Sequence, residues 1–190
     1  MARFDVDAAI RWARFDPRRA IAHRPDADLP FIERDGLGGQ ALLLDTCVCI
    51  DQLQGRAPDI VAQAITSRHA SHSSVTVSEL MHTVGVLDPR DHRTPAVVAE
   101  ISGLIRRMPV HRVFSPDGDV LGRAGLLAGV VCRLQGYGVD RRLRALLDCV
   151  LFLQAQKLGL TILTRDVGDF DVLQQLLPRG RVLFYRQELR

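Results

Sequence analysis

The sequence predicts an α/β fold built on a mainly parallel sheet, and three observations lead there. Short runs of consecutive apolar residues recur along the chain, as expected of strands buried on both faces. Longer stretches with helical periodicity separate them, so strands and helices alternate. Two of the runs lead into an aspartate, Asp45 directly and Asp166 after Thr164 and Arg165, at the carboxyl end of a strand, where open α/β sheets gather their ligand sites. With 190 residues and 47% hydrophobic content, the chain can bury such a core in one domain.

Residues 1–40 read as an N-terminal extension to a main domain over 41–190. Val6, Ala9, Ile10 and Ala13 fall at helical spacing and predict a short amphipathic helix from about Asp5 to Phe15. Pro17, Pro25 and Pro30 break up the charge-mixed segment that follows, and Gly36, Gly38 and Gly39 punctuate its end. Ala41 to Leu44 is a continuous apolar run closing on Asp45 and Thr46, which predicts a buried strand. Helices are expected over Cys47–Leu53 and Pro58–Ser67. Ser74, Val75, Thr76 and Val77, mostly β-branched, predict a second strand, with the next helix opening at Ser78 and Glu79 in its first turn.

Thr94 before Pro95 reads as a helix N-cap with proline at the first position. The stripe of Val97, Val98, Ile101, Leu104, Ile105 and Met108 continues that helix, as core or as a groove. Val110 to Phe114 predicts a short strand. A helix opens at Ser115-Pro116-Asp117 and closes at Gly136-Tyr137-Gly138, and another runs from about Asp140 to Leu158 and stops at Gly159. Leu160 to Leu163 reads as a strand ending in Thr164, Arg165 and Asp166. A helix over Gly168–Leu176 and a strand over Arg181–Tyr185 complete the chain.

Asp148 is the polar exception in the apolar run from Ala145 to Leu153, and an ionised carboxylate there costs several kcal/mol unless a cation or donors compensate. Asp45 and Asp166 end strands, Glu79 opens a helix after another, and Asp169 lies one turn beyond Asp166. In a parallel sheet these acids share one edge. Gathered carboxylates repel, and a cation among them relieves the repulsion. Oxygen ligands point to Mg²⁺ or Mn²⁺ rather than zinc. Taken singly, Asp45 and Asp166 also suit helix caps, and Glu79 suits a helix dipole.

The charge balance of 25 bases to 22 acids, net +3, is too mild to prove a nucleic-acid partner. Twenty-four of the 25 bases are arginine, with Lys157 the lone lysine, which fits phosphate recognition or a GC-rich coding bias. Arg165 beside the acids, and Arg141, Arg142 and Arg144 at the start of the Asp148 helix, are candidate phosphate contacts or a solvated basic helix end. Cys47, Cys49, Cys132 and Cys149 sit in apolar runs without a CxxC pair and read as core residues of a reducing compartment. The first residues show no apolar signal core and no stretch reaches membrane-spanning length, so a cytoplasmic protein is expected. Glu79 and His82 form one Glu-x-x-His pair, where a di-iron helical site needs two.

Four stretches together resemble the successive acidic motifs of PIN domains: Leu44-Asp45-Thr46-Cys47-Val48-Cys49-Ile50, Ser74-Val75-Thr76-Val77-Ser78-Glu79-Leu80, Leu147-Asp148 and Leu163-Thr164-Arg165-Asp166-Val167-Gly168-Asp169-Phe170. The likeness is closest to the VapC-type ribonuclease toxins of bacterial toxin–antitoxin pairs and spans residues 41 to about 185. It implies a three-layer α/β/α sandwich with a central sheet of four to five strands. Asp45, Glu79, Asp148 and Asp166 match the acidic catalytic positions, and Asp45, Asp148, Asp166 and Asp169 the ligands of Mg²⁺ or Mn²⁺. Thr46 and Thr164 match the family's hydroxyl neighbours, and Arg165 and Arg142 are placed for RNA phosphates. Cys47 stands where the family often has asparagine, and the 40-residue extension is unusual for a compact toxin. The function implied is a metal-dependent endoribonuclease that leaves a 5′-phosphate and a 3′-hydroxyl. It would act as a homodimer silenced by an antitoxin; a further hypothesis is that residues 1–40 lie across the place where that antitoxin would bind. A PIN-fold protein that binds RNA or a partner without nuclease turnover is the alternative.

Overall fold

The computed structural model describes residues 4–14, 20–35 and 37–187. Of the positions singled out above, Phe15, Pro17 and Gly36 lie outside them. The five strands are β1 (Leu42–Leu44), β2 (His72–Ser73), β3 (Val113–Phe114), β4 (Thr161–Thr164) and β5 (Arg181–Phe184). β1, β4 and β5 form a three-stranded sheet with β4 in the middle, and β2 pairs with β3. Every pairing is parallel. Ser71 joins the two pieces through a parallel bridge to Leu43, its carbonyl accepting from Leu44 N at 3.0 Å and its N–H reaching Leu42 O at 2.8 Å. The spatial order is therefore β3-β2-β1-β4-β5.

Nine α-helices surround this sheet among the described residues: α1 (Val6–Ile10), α2 (Ile32–Asp35), α3 (Thr46–Leu53), α4 (Asp59–Ser67), α5 (Ser74–Val86), α6 (Thr94–Arg107), α7 (Gly118–Gln135), α8 (Val139–Leu158) and α9 (Val167–Leu176). Because strand side chains alternate between faces, the strands divide their apolar residues between two cores. Leu43, Ile162, Val182 and Phe184 pack with α7, α8 and α9. Leu42, Leu44, Leu163 and Leu183 pack with α3, α4, α5 and α6. The result is helix, sheet and helix in three layers.

The structure moves several element boundaries. Ser74–Val77 is not a strand. The strand lies just before it at His72–Ser73, and α5 starts at Ser74 because the Ser73 hydroxyl caps it by accepting from Val75 N at 3.1 Å. Val75 and Thr76 are buried there, so packing overrides their β-branched preference. Glu79 consequently sits in the second turn of α5. Thr94 is the first residue of α6 rather than its cap, and its hydroxyl instead donates to Asp88 O at 2.6 Å. In α6 Ile101 is fully buried, Val97, Val98, Leu104 and Ile105 are partly buried, and Met108 just past the helix is buried again. Val110–Arg112 is a 3-10 turn that leaves only Val113 and Phe114 as strand. The first helix is five residues long and runs into a 3-10 turn over Arg11–Arg14.

The extension is built into the domain. Phe31 bridges Phe184 in parallel while Phe184 N donates to Pro30 O at 2.8 Å, which covers the outer edge of β5. Leu29 and Phe31 enter one core and Ile32 the other. Asp171, fully buried in α9, receives Arg24 N at 2.9 Å and Arg24 Nε at 2.6 Å. No helix among the described residues is long and apolar enough to cross a membrane.

Candidate metal centre

The sheet order fixes where a site can form. The chain leaves β1 toward β2 on one side and leaves β4 toward β5 on the other. The carboxyl ends of β1 and β4 therefore flank the point where the winding reverses, which is where open α/β sheets leave a crevice. Asp45 follows β1 and Asp166 follows β4. Both precede helices, yet they use their oxygens differently. Asp45 makes no side-chain cap to α3. Its Oδ2 instead accepts from Thr164 Oγ1 at 2.6 Å and from the Cys47 thiol at 2.9 Å. Asp166 caps α9 with one oxygen, Oδ1, which accepts from Asp169 N at 3.1 Å, and so leaves Oδ2 for the crevice. Thr164 ties the two together, since its Oγ1 also accepts from Asp166 N at 2.9 Å.

α8 carries Asp148 across the same crevice. Asp148, Asp166 and Asp169 each offer an oxygen within 4.8 Å of the others. Asp148 is 8% exposed, and its Oδ2 receives no hydrogen bond. Burial raises its pKa well above the usual carboxylate value, and the charges of Asp45, Asp166 and Asp169 add to the effect. Burial likewise pushes up Asp45, against the hydrogen bonds from Cys47 and Thr164. Glu79, on α5, is held by Thr46 Oγ1, which donates to its Oε2 at 2.6 Å. Burial raises its pKa too, with a further upward push from Asp45. Asp45 thus borders the trio, coupled by charge to Asp148 and Asp166, and Glu79 is coupled in turn to Asp45.

A buried carboxylate oxygen without a donor, facing two more acids, fits a cation better than any other occupant. The donors are all oxygen, which matches the hard ions Mg²⁺ and Mn²⁺. The Cys47 thiol points its proton at Asp45, and burial and that carboxylate push its pKa up, so it adds no thiolate.

The arginines sort by helical face. Residues 141, 144 and 148 recur at helical spacing, and the structure puts Arg141 and Arg144 on the acid side: Arg141 Nη2 lies 3.4 Å from Asp169 Oδ1, and Arg144 Nη2 donates to Asp166 Oδ2. Arg142 turns away and lines a separate cleft between α7 and α8 with Gly129, Tyr137 and Leu146, which removes it from the acid site. Arg165 borders a cavity of about 370 Å³ with Cys47, Arg144 and Asp166, but its Nε pairs with the buried Asp51 at 3.0 Å. Tyr137, in the α7–α8 link, donates to Asp169 Oδ1 while the Arg141 guanidinium lies 3.8 Å over its ring. The 141, 144, 148 spacing signalled the two arginines; nothing local signalled Tyr137.

No family model and no curated sequence matches the chain. Solved structures do resemble it in fold. One chain of VapBC2 from Rickettsia felis, bound to a DNA fragment from its promoter, superposes with a TM-score of 0.54 at 11% identity, covering 77% of this chain and 100% of that one. DNA-bound VapBC from Salmonella typhimurium gives 0.52 at 21% over 76% and 97%. FitAcB from Neisseria gonorrhoeae gives 0.53 at 20% over 76% and 96%. At such identities the fold is what the chains share: a parallel sheet flanked by helices, with this chain spanning the whole of the chains it resembles or nearly so.

Proposed function

We propose that this protein is a cytoplasmic, metal-dependent endoribonuclease of the PIN type, and the toxin of a toxin–antitoxin pair. The single observation that carries the nuclease reading is the orphaned Oδ2 of buried Asp148, facing Asp166 and Asp169 at the crevice between β1 and β4. Asp148, Asp166 and Asp169 would hold Mg²⁺ or Mn²⁺, with Asp45 completing the set from the β1 side. A divalent ion held there supplies Lewis-acid activation of water and neutralises charge that builds on a phosphate during in-line attack.

The remaining roles belong to the chain's own groups. Thr164 fixes the Asp45 carboxylate and the Asp166 backbone relative to each other, which keeps the acids in register as a substrate enters. Glu79, whose pKa burial raises, is the candidate proton acceptor, and Thr46 orients it. Arg165 borders the cavity as a phosphate contact. Cleavage leaves a 5′-phosphate and a 3′-hydroxyl. The toxin reading is supported by the sequence motifs and by the fold shared with chains of VapBC and FitAcB complexes. By the same analogy the protein pairs with an antitoxin and forms homodimers.

Total tRNA and rRNA incubated with the protein and Mn²⁺ should be cut, and D148N should abolish the cutting while its circular dichroism stays native. Undiminished cleavage by D148N sinks the assignment. The guanidinium already lying among the acids favours a second reading, a PIN-fold RNA- or partner-binding protein without turnover. Mn²⁺ binding without cleavage of any RNA would select it.

A further inference from the structure

The Arg144 guanidinium faces all three acids. Its Nη2 donates to Asp166 Oδ2, and its Nε lies 3.9 Å from Asp148 Oδ2 and 3.9 Å from Asp169 Oδ2. The other oxygens of two of these acids are committed elsewhere. Asp166 Oδ1 caps α9, and Asp169 Oδ1 accepts from Tyr137 and faces Arg141. The oxygens left to hold an ion are those the guanidinium covers, so ion and guanidinium need the same space. The Arg144 side chain is 64% exposed, on the first two turns of α8, and is free to swing toward solvent.

We propose that Arg144 is the resident cation of the acid trio, an internal competitor that holds the three Oδ2 atoms until a divalent ion displaces it. This rests on the metal-centre reading above. Without an ion, Arg144 offsets the repulsion among Asp148, Asp166 and Asp169 and keeps them assembled. With an ion bound, its guanidinium is released at the rim of the cavity it shares with Arg165, where a phosphate of the substrate would lie. Arg144 therefore sets the affinity for the ion and links ion entry to the appearance of a phosphate-binding group.

The test measures Mn²⁺ binding to the metal-stripped full chain by titration calorimetry, for the native protein, R144A and D148N. R144A should bind Mn²⁺ about tenfold tighter, because a partly exposed ion-pair network no longer has to be broken and one positive charge is gone. Its metal-free form should melt lower than the native one, and Mn²⁺ should raise its Tm by more. Equal or weaker binding by R144A, with the native protein binding and D148N not, overturns the competitor role and leaves the metal centre standing. No binding by either the native protein or R144A, or native-like binding by D148N, overturns both. Should R144A fail to fold, the native protein decides: its Arg144 Nε–H resonance should shift on titration with Mg²⁺, and a resonance unmoved at saturation overturns the proposal.

Discussion

At the residue scale, three carboxyls that burial pushes in the same direction make stability, and with it the proposed metal binding, depend on pH together. Asp148, Asp45 and Glu79 all hold their protons more tightly folded than unfolded. Their stabilising contribution is complete below the unfolded values of 3.8 and 4.5 and is lost as pH climbs through the raised ones. Metal-free protein should thus lose stability as pH rises above about 4, and Mn²⁺, which needs ionised ligands, should restore it increasingly over the same range. Thermal melts with and without Mn²⁺ at several pH values check this, and a metal-induced shift that ignores pH contradicts it. Asp171 has the opposite sign. Despite its burial, the Arg24 donors hold its pKa below 3.8, so the stability it lends is lost only as pH falls through that lowered value. T164V removes the bonds to both Asp45 and Asp166 N. It should cost about 1–3 kcal/mol in urea denaturation and slow cleavage as well, whereas a change in stability alone would leave Thr164 a purely structural residue.

At the element scale, what could be read from the sequence depended on whether local pattern and packing agreed. β1 and β4 were legible because apolar runs ending in aspartate have one reading, and α8 was legible through its length and its Gly159 cap, which is left-handed with φ of 70°. Ser74–Val77 misled because its β-branched residues are buried in a helix whose start is set by Ser73, a cap that its neighbours' strand preference masked. S73A should lower stability by about 1 kcal/mol and fray the first turn of α5, displacing Thr76 before Glu79, as amide exchange would show. The acids themselves were visible, but their division of labour was not. That Asp166 spends one oxygen on a cap, or that Arg142 faces another cleft while Arg144 faces the acids, follows from rotation about a helix axis rather than from residue type. Gly180 carries a constraint of its own. A methyl there would clash with Cζ of the fully buried Phe152, so G180A should destabilise by about 1–3 kcal/mol through overpacking. A native-like melting temperature would contradict it.

At the scale of the whole molecule, the extension behaves as part of the core. Removing residues 1–40 would take Leu29, Phe31 and Ile32 out of two cores and uncover the edge of β5, so a truncation reads stability before it reads regulation. R24A is the cleaner probe. It should remove the guanidinium bond to Asp171 while the backbone N–H of residue 24 and Gln175 still donate, cost about 1–2 kcal/mol given the partial exposure of Arg24, and quicken proteolysis near the N-terminus. Unchanged proteolysis would mean that the Phe31 and Ile32 contacts suffice. That the extension leans on the domain was legible in the sequence, but this contact was not, because it depends on one buried aspartate in α9 that resembles its acidic neighbours.

The strand order has a last consequence, one of timing. β4 is the fourth strand to be synthesised, yet it lies in the middle of its sheet, between the first strand and the fifth. Until the ribosome has made residues 161–164, β1 has no partner on that side, and Asp45 and Glu79 wait without Asp166 and Asp169. A nascent chain therefore carries one half of the acid cluster before the other half exists, and the acids can meet only once β4 has inserted beside β1.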